Sequence, residues 1–355
     1  MLPYLSVIVS VRNERKMLPG LIDQLLEQNY PAELYEILVV DGRSTDGTGD
    51  LIRRRYSNRR VRVRILDNPR RTVAAGRNTG IRAASGDAMV FLSGHCSIPS
   101  KNLLADTAEI LETTGAGCLC RPQPLLAAAE TRMGEAIAHA RSTRIGRGAF
   151  APEMAGFVDP PAFACTFRRS VFEEVGLFDE TFDACTGLDF NERVRQAGIR
   201  AYCDPRLTIH EQPPQKLRGL FAEMFRHGRG ASHWMRKHPE CSSLAEIAPL
   251  TVLLATLLTI VAWTRLPHIT AAIVTAPAAM VPIAVLFAAM QIASSHGLRS
   301  AWRSPAIVAT IYLGQGLGLI FEYAIPSEDP RPRKTVPVLS MSENTERLSK
   351  ADRAA

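Results

Sequence analysis

Two short segments of this sequence end in side chains suited to holding a hydroxylated ligand. LSVIVSVRNE, from Leu5, delivers Asn13 and Glu14, and EILVVDGRSTDGT, from Glu36, delivers Asp41 and Ser44. Carboxylates accept hydroxyl or amide hydrogens and serine both donates and accepts, so Glu14, Asp41 and Ser44 on one rim suit a sugar hydroxyl or a base edge. Asp46, followed by Gly47, reads better as a turn or helix cap. Asp41 closes its strand, and a ligand contact is preferred there over a turn cap. A third segment, NPRRTVAAGRNTGIRAASGD from Asn68, is basic and punctuated by glycine. Its Arg70, Arg71 and Arg77 either approach an anion or line a solvated loop.

These side chains need a scaffold that brings strand ends together. Two β-branched runs, each delivering a polar cluster at its C-terminal end, predict neighbouring parallel strands of an open α/β sheet. Ligands of such sheets collect outside the carboxyl ends of the strands. A helix is expected over residues 17–28, with Leu18, Leu21, Ile22, Leu25 and Leu26 on one face. Further strands are expected at Val61–Leu66 and Ala88–Leu92. The expected fold is therefore α/β: a mostly parallel sheet flanked by helices over residues 1–240.

The composition after Ala248 is different. The stretches 248–264, 266–295 and 304–321 carry no Asp, Glu, Lys or Arg. Each is about long enough to cross hydrocarbon some 30 Å thick. Three helices of a multi-pass membrane anchor are expected over 246–325, and a polar, proline-spotted, disordered tail over 326–355. Ahead of them, in PQKLRGLFAEMFRHGRGASHWMRKH, Leu217, Leu220, Phe221, Met224 and Phe225 share one helical face ringed by Lys216, Arg218, Arg226 and Arg229. That pattern predicts a helix lying in a lipid interface, with Trp234 at headgroup depth. The same arginines also suit a lipid-linked phosphate. Basic residues before the first stretch, and Arg299 and Arg303 before the third, favour the cytoplasmic side.

The 355 residues carry a net charge of +7, and only six of the 42 basic residues are lysine. Arginine excess suits phosphate, which a planar fork grips at two oxygens. Nucleic acid is disfavoured, because the basic residues lack interleaved aromatics. Seven scattered cysteines without a C-x-x-C predict a reducing compartment and no structural zinc. No cleavable signal is read at the N-terminus. A dinucleotide-dependent oxidoreductase is set aside, since Ser10-Val11-Arg12-Asn13 stands where a G-x-G-x-x-G turn would follow the first strand.

Taken in order, VIVSVRNE, VVDGRSTDGT, GRNTGI, SGDAMVFLSGHC, FRRSVFEEVGLFDETFDAC, FNERVRQAG and FRHGRG resemble the motifs of family 2 glycosyltransferases. These have the A-type, nucleotide-diphospho-sugar-binding fold. The chain is similar to the membrane-anchored, succinoglycan-type exopolysaccharide enzymes of the inner (plasma) membrane, whose catalytic domain is cytoplasmic. The resemblance implies an inverting transfer from a nucleotide sugar to a lipid-linked or glycan acceptor, in company with other polysaccharide-assembly proteins. It places Glu14, Asp41 and Ser44 on the nucleoside, and Arg77, Asn78, Ser93 and His95 near the diphosphate or sugar. Arg226, His227 and Arg229 fall on the acceptor or diphosphate. The family's divalent cation, Mg or Mn, sits on an Asp-x-Asp motif.

The sequence departs from that pattern twice. Ser93-Gly94-His95 replaces the metal motif, which leaves His95 as a lone metal ligand or as a hydrogen-bond donor to phosphate. Gly187 stands where the family has its catalytic base. Asp189, Asp159 and Asp183 are the remaining acids, with Arg193 either part of the site or paired to Asp189 one helical turn away. The losses raise a second reading, a degenerate member that binds nucleotide sugar or partner transferases without turnover.

Overall fold

Residue pattern and strand order agree at the start of the chain. The computed structural model describes residues 1–57, 59–126, 130–143, 155–160, 164–241, 244–268, 270, 290 and 301–326. It divides into two units, one described over Met1–Pro122 and Ala151–Ile209, the other from Gln123–Phe150 and His210–Pro330.

In the first unit the strands are β1 (Leu5–Val11), β2 (Tyr35–Asp41), β3 (Arg62–Asp67), β4 (Ala88–Ser93), the two-residue β5 (Cys96–Ser97), β6 (Cys118–Cys120), β7 (Gly156–Val158), β8 (Ala164–Arg168) and β9 (Ala201–Cys203). The helices are α1 (Leu18–Leu26), α2 (Thr48–Tyr56), α3 (Val73–Ala83), α4 (Leu103–Thr114), then α6 (Arg169–Val175) and α7 (Thr186–Gln196). Eight strands form one sheet in the order β3-β2-β1-β4-β8-β6-β9-β7. Strands β1 to β4 are all parallel, while β8 runs antiparallel between β4 and β6 and β7 antiparallel to β9.

The expected strands and first helix are all present, within one or two residues at their ends except at the start of the sheet, where the motif outruns the strand into its rim loop. The β1 and β2 runs are continuous apolar segments because both sheet faces are covered. Val7 and Val9 pack with Leu18, Leu21, Ile22 and Leu25 of α1, while Ile8 packs with Ala74 and Ile81 of α3. Each such fully buried side chain contributes about 1.5–3 kcal/mol. Beyond β4 the second face is aromatic: Phe91, Phe167, Phe172, Phe178 and Phe190 make edge-to-face and stacked contacts. Thr72 caps α3, its hydroxyl accepting from the Ala75 N–H at 3.3 Å.

Cys120 and Cys203, 83 residues apart, are register partners on β6 and β9 and form a disulfide. The scattered spacing gave no sign of this pair.

The second unit contains α5 (Arg132–Arg141), α8 (Leu217–Lys237), α9 (Leu244–Arg265) and α10 (Ser304–Ala324). Leu220 and Met224 of α8 are buried with Ala136, Ile137 and Ala140 of α5 and Ile307 and Ile311 of α10. Trp234 is buried as well. The interfacial reading of α8 is corrected accordingly: protein covers its apolar face. Glycines let α8 and α10 touch backbone to backbone. A Cβ on Gly314 would stand 2.9 Å from the Met224 Cβ, and one on Gly228 or Gly318 would collide with the Gln315 or Phe225 carbonyl. Two described helices, α9 and α10, are long and apolar enough to cross a membrane. Most of the second expected span, and the tail, lie outside the described residues.

Candidate active site

The carboxyl ends of β1, β2 and β4 are adjacent, since Val11 pairs with Asp41 and Ser10 with Ser93. They bring Glu14, Asp41, Ser44, Ser93 and His95 to one rim. The loops between are held by side chains reading backbone. Asn13 adopts a left-handed conformation (φ 59°), which asparagine tolerates better than most residues. Its N–H donates to the Ser44 hydroxyl at 2.8 Å, and its side-chain oxygen accepts from the Thr45 N–H at 2.8 Å.

Asp41 Oδ1 accepts from the Ser44 N–H at 3.0 Å and the Ser44 hydroxyl at 2.6 Å. One oxygen thus forms a turn, so the cap alternative holds for half of the carboxylate. Oδ2 makes no hydrogen bond among the described residues. Asp46 behaves as the pattern predicted and accepts from the Thr48 N–H at 3.0 Å and from the Arg15 N–H at 3.0 Å. Burial pushes the Asp46 carboxyl up, but the Thr48 hydroxyl and the Arg15 and Thr48 N–H groups outweigh it and hold the pKa below the ordinary value.

His95 Nδ1 lies 3.1 Å from Glu14 Oε1. Gly94 makes this approach sterically feasible, because a Cβ there would stand 2.7 Å from Val11 Cγ1 and 3.0 Å from Glu14 Cγ. The pair offers one imidazole and one carboxylate. No group of three or more His, Cys, Asp or Glu side chains able to hold a metal occurs among the described residues. The residues present therefore do not fit a divalent cation gripped by the protein alone.

Two guanidinium groups approach the end of β4. Arg77, on α3, donates to the Thr186 hydroxyl at 3.0 Å and lies over the rings of Phe91 and Phe178. Arg121, just after β6, is 2% exposed, and its terminal nitrogen donates to the Phe91 carbonyl at 2.7 Å. Its Nε is buried without a hydrogen-bond partner, and no carboxylate pairs with it among the described residues. Burial pushes the Cys165 thiol up, and the Arg121 and Arg77 charges both act against that shift. Arg121 was missed in the sequence. Its signal was slight: a lone arginine directly after the buried run Cys118–Cys120.

Other expected site residues have different roles. Asn78 is buried, its amide donating to the Phe178 carbonyl and Glu180 and accepting from the Phe178 N–H. It clamps α3 to the 178–180 turn rather than facing a ligand. Asp189 is 1% exposed and paired to Arg193 at 3.1 Å, while Arg193 also donates to the Val175 and Leu177 carbonyls. The couple fixes the end of α6, and the Asp189 carboxylate is engaged by Arg193. Asp159 follows Val158, the partner of Ala201. Through β9, β6 and β8 that register leads to the start of β4, on the opposite rim and four strands away, roughly 19 Å at 4.8 Å per strand. Asp183 is exposed, three residues before Thr186.

In the second unit Arg229 is engaged by Glu322 at 3.0 Å and stacks over Phe321. It braces α10, whereas Arg226 and His227 are exposed.

Residues 6–176 match the profile of the Glycosyl transferase family 2. The chain is 27% identical to the Succinoglycan biosynthesis protein ExoA of Rhizobium meliloti over 72% of its length and 78% of that protein. It is 22% identical to the Dolichyl N-acetyl-alpha-D-glucosaminyl phosphate 3-beta-D-2,3-diacetamido-2,3-dideoxy-beta-D-glucuronosyltransferase of Methanococcus voltae, covering 66% of this chain and 74% of that one. Among solved structures, the mannosyltransferase PcManGT from Pyrobaculum calidifontis, in complex with GDP-Man and Mn2+, superposes with a TM-score of 0.57 at 21% identity, over 91% of this chain and 88% of that one. The fold is A-type-like, a mixed sheet flanked by helices.

Proposed function

We infer the reaction from one premise: this chain carries a Glycosyl transferase family 2 domain and is a glycosyltransferase. Its donor is a nucleotide-diphospho-sugar, and its acceptor a lipid-linked or polysaccharide hydroxyl in cell-surface polysaccharide synthesis. The relative named for succinoglycan biosynthesis and the neighbour that holds GDP-Man support that assignment.

The observation that carries the reading is Arg121. A buried guanidinium with no carboxylate paired to it among the described residues is costly, and it stands near the β4 end where the family's donor motif falls. A diphosphate would supply the missing negative charge through charge-assisted hydrogen bonds. Glu14, Asp41 and Ser44 hold the nucleoside, with Asp41 Oδ2 as an acceptor.

Transfer is inverting. The acceptor oxygen forms its bond to the anomeric carbon as the bond from that carbon to the diphosphate oxygen breaks. The electron pair leaves with the nucleoside diphosphate, whose charge Arg121 and Arg77 meet. The hydroxyl proton passes to Asp183, the exposed acid beside Thr186. His95 and Glu14 alone do not make a site for a divalent cation. The protein works at the cytoplasmic face of the plasma membrane, with α9 in the hydrocarbon. Leu254, Leu257, Leu258, Ile260, Val261 and Trp263 of α9 are all exposed, around several faces of the helix.

Gly187, in place of the family acid, favours a second reading, in which the site binds donor without turnover. Asp183→Asn separates the two in a radiolabelled-sugar transfer assay with membrane lipid. A fall in kcat of at least a hundredfold, at unchanged donor affinity, supports Asp183 as the base. Unchanged kcat removes it, and no transfer by the parent protein, with or without Mn2+, supports the second reading.

A further inference from the structure

Helix α10 has a face that a water-exposed helix would not carry. Its outward stripe, Ala306, Ala309, Leu313, Leu317, Ile320 and Ala324, recurs at three- and four-residue steps and is apolar throughout. Trp302, 70% exposed, and Tyr323, 79% exposed, stand at its two ends. The opposite face, with Ile307, Ile311, Gly314, Gly318 and Glu322, is buried. A helix packed on a protein core normally turns polar residues outward. An apolar stripe bounded by Trp and Tyr is what a membrane–water interface selects.

Length and composition alone would let α10 cross a bilayer, but its partner does not. Contacts climb α8 and α10 in the same direction. Phe221 and Met224 meet Gly314, Phe225 and Gly228 meet Gly318, and Arg229 and Arg236 bond Glu322 at 3.0 and 2.8 Å. The two helices lie side by side at backbone contact, and no lipid fits between them. Were α10 to stand upright in hydrocarbon, α8 would carry Arg218, Glu223, Arg226, Arg229, Arg236 and Lys237 in with it. Charges at bilayer depth are strongly disfavoured, and α8 has one acid against five basic residues among these.

We propose that α10 is an in-plane interfacial helix rather than a membrane span: its Leu313–Leu317–Ile320 stripe lies in the headgroup–acyl boundary, and α8 rides beside it as the basic, water-facing half of the pair. The partner surface is an anionic lipid bilayer, with the exposed Arg218 and Arg226 of α8 available to phosphate headgroups. This rests on the membrane reading of the proposed function and narrows it, because α9 is then the described helix that enters the hydrocarbon core.

Full-length protein carrying one spin label at a time, at Trp302, Ala306, Leu313, Ile320 or Tyr323, is reconstituted into phosphatidylethanolamine–phosphatidylglycerol vesicles. Depth is read from collision with oxygen against a water-soluble nickel chelate. The in-plane helix gives one shallow band for all five sites, no deeper than about 10 Å below the headgroups. A profile that is deepest at Leu313 and shallow at both ends, as for a crossing helix, overturns the proposal while leaving membrane binding intact. Nickel accessibility at every site in vesicles that float with the protein overturns it too. Protein that fails to float with vesicles removes the membrane reading itself.

Discussion

Replacing Arg121 with methionine should move stability and affinity in opposite directions. In the ligand-free protein the guanidinium is 2% exposed, and among the described residues its side-chain hydrogen bond is the one to the Phe91 carbonyl at 2.7 Å. A hydrogen bond with a charged donor returns about 1.5–3 kcal/mol, whereas burying an ion costs several kcal/mol and needs excellent pairing to offset it. Methionine has a similar length and no charge, so the ligand-free protein should gain about 1–2 kcal/mol, the lower part of the range seen when buried ion pairs are replaced by apolar side chains. With donor bound the same change removes a charge-assisted contact to phosphate, about 2 kcal/mol or roughly thirtyfold in Kd. Urea unfolding in detergent without nucleotide, and calorimetric titration with nucleoside diphosphate, read the two effects. A variant that loses more than about 1 kcal/mol of stability and keeps its affinity would refute the reasoning and make Arg121 a structural post.

Two further outcomes follow from particular contacts. Glu322, 1% exposed, is held by Arg229 and Arg236, each about a third exposed. Removing one partner of a fully buried pair costs about 3–5 kcal/mol, and water at the two guanidinium groups reduces this to about 2–3 kcal/mol for Glu322→Ala. A double-mutant cycle with Arg236→Ala should show coupling above about 1 kcal/mol, and strictly additive losses would contradict the ion cluster. The lowered pKa of Asp46 stabilises the fold above the ordinary carboxylate value of about 3.9, and that contribution is lost as pH falls through the lower folded value. Asp46→Asn should therefore make the unfolding free energy less pH-dependent on the acid side. An acid limb identical to the parent's would show that the Asp46 cap carries none of it.

The rim that carries Glu14, Asp41 and Ser44 was legible because it is local. Val11 and Asp41 end strands whose apolar runs and polar termini are contiguous in sequence, and a parallel register aligns those ends at once. Asp189 and Arg193 were legible as a couple for the same reason, four residues apart on one helix. What failed depended on distant partners. Asp159 sits on the wrong rim because β8 and β7 reverse direction, which no local pattern records. The apolar face of α8 looked fit for lipid because its cover, α10, lies some ninety residues further on. Gly314 and Gly318, four residues apart in a largely apolar helix, were the available clue, since small residues at such spacing mark close helix contact. Arg121 offered only its place after the buried run Cys118–Cys120: its oddity is the lack of a counter-charge among the described residues, visible only once its neighbours are known.

Equilibrium titration of the purified full-length protein with UDP- and GDP-linked sugars, in EDTA and in Mn2+, tests the central claim most directly. Saturable binding of at least one nucleotide sugar, weakened tenfold or more by Asp41→Ala in a variant that unfolds cooperatively, is the predicted result. No saturable affinity for any of them under either condition, from protein that is folded, would contradict it.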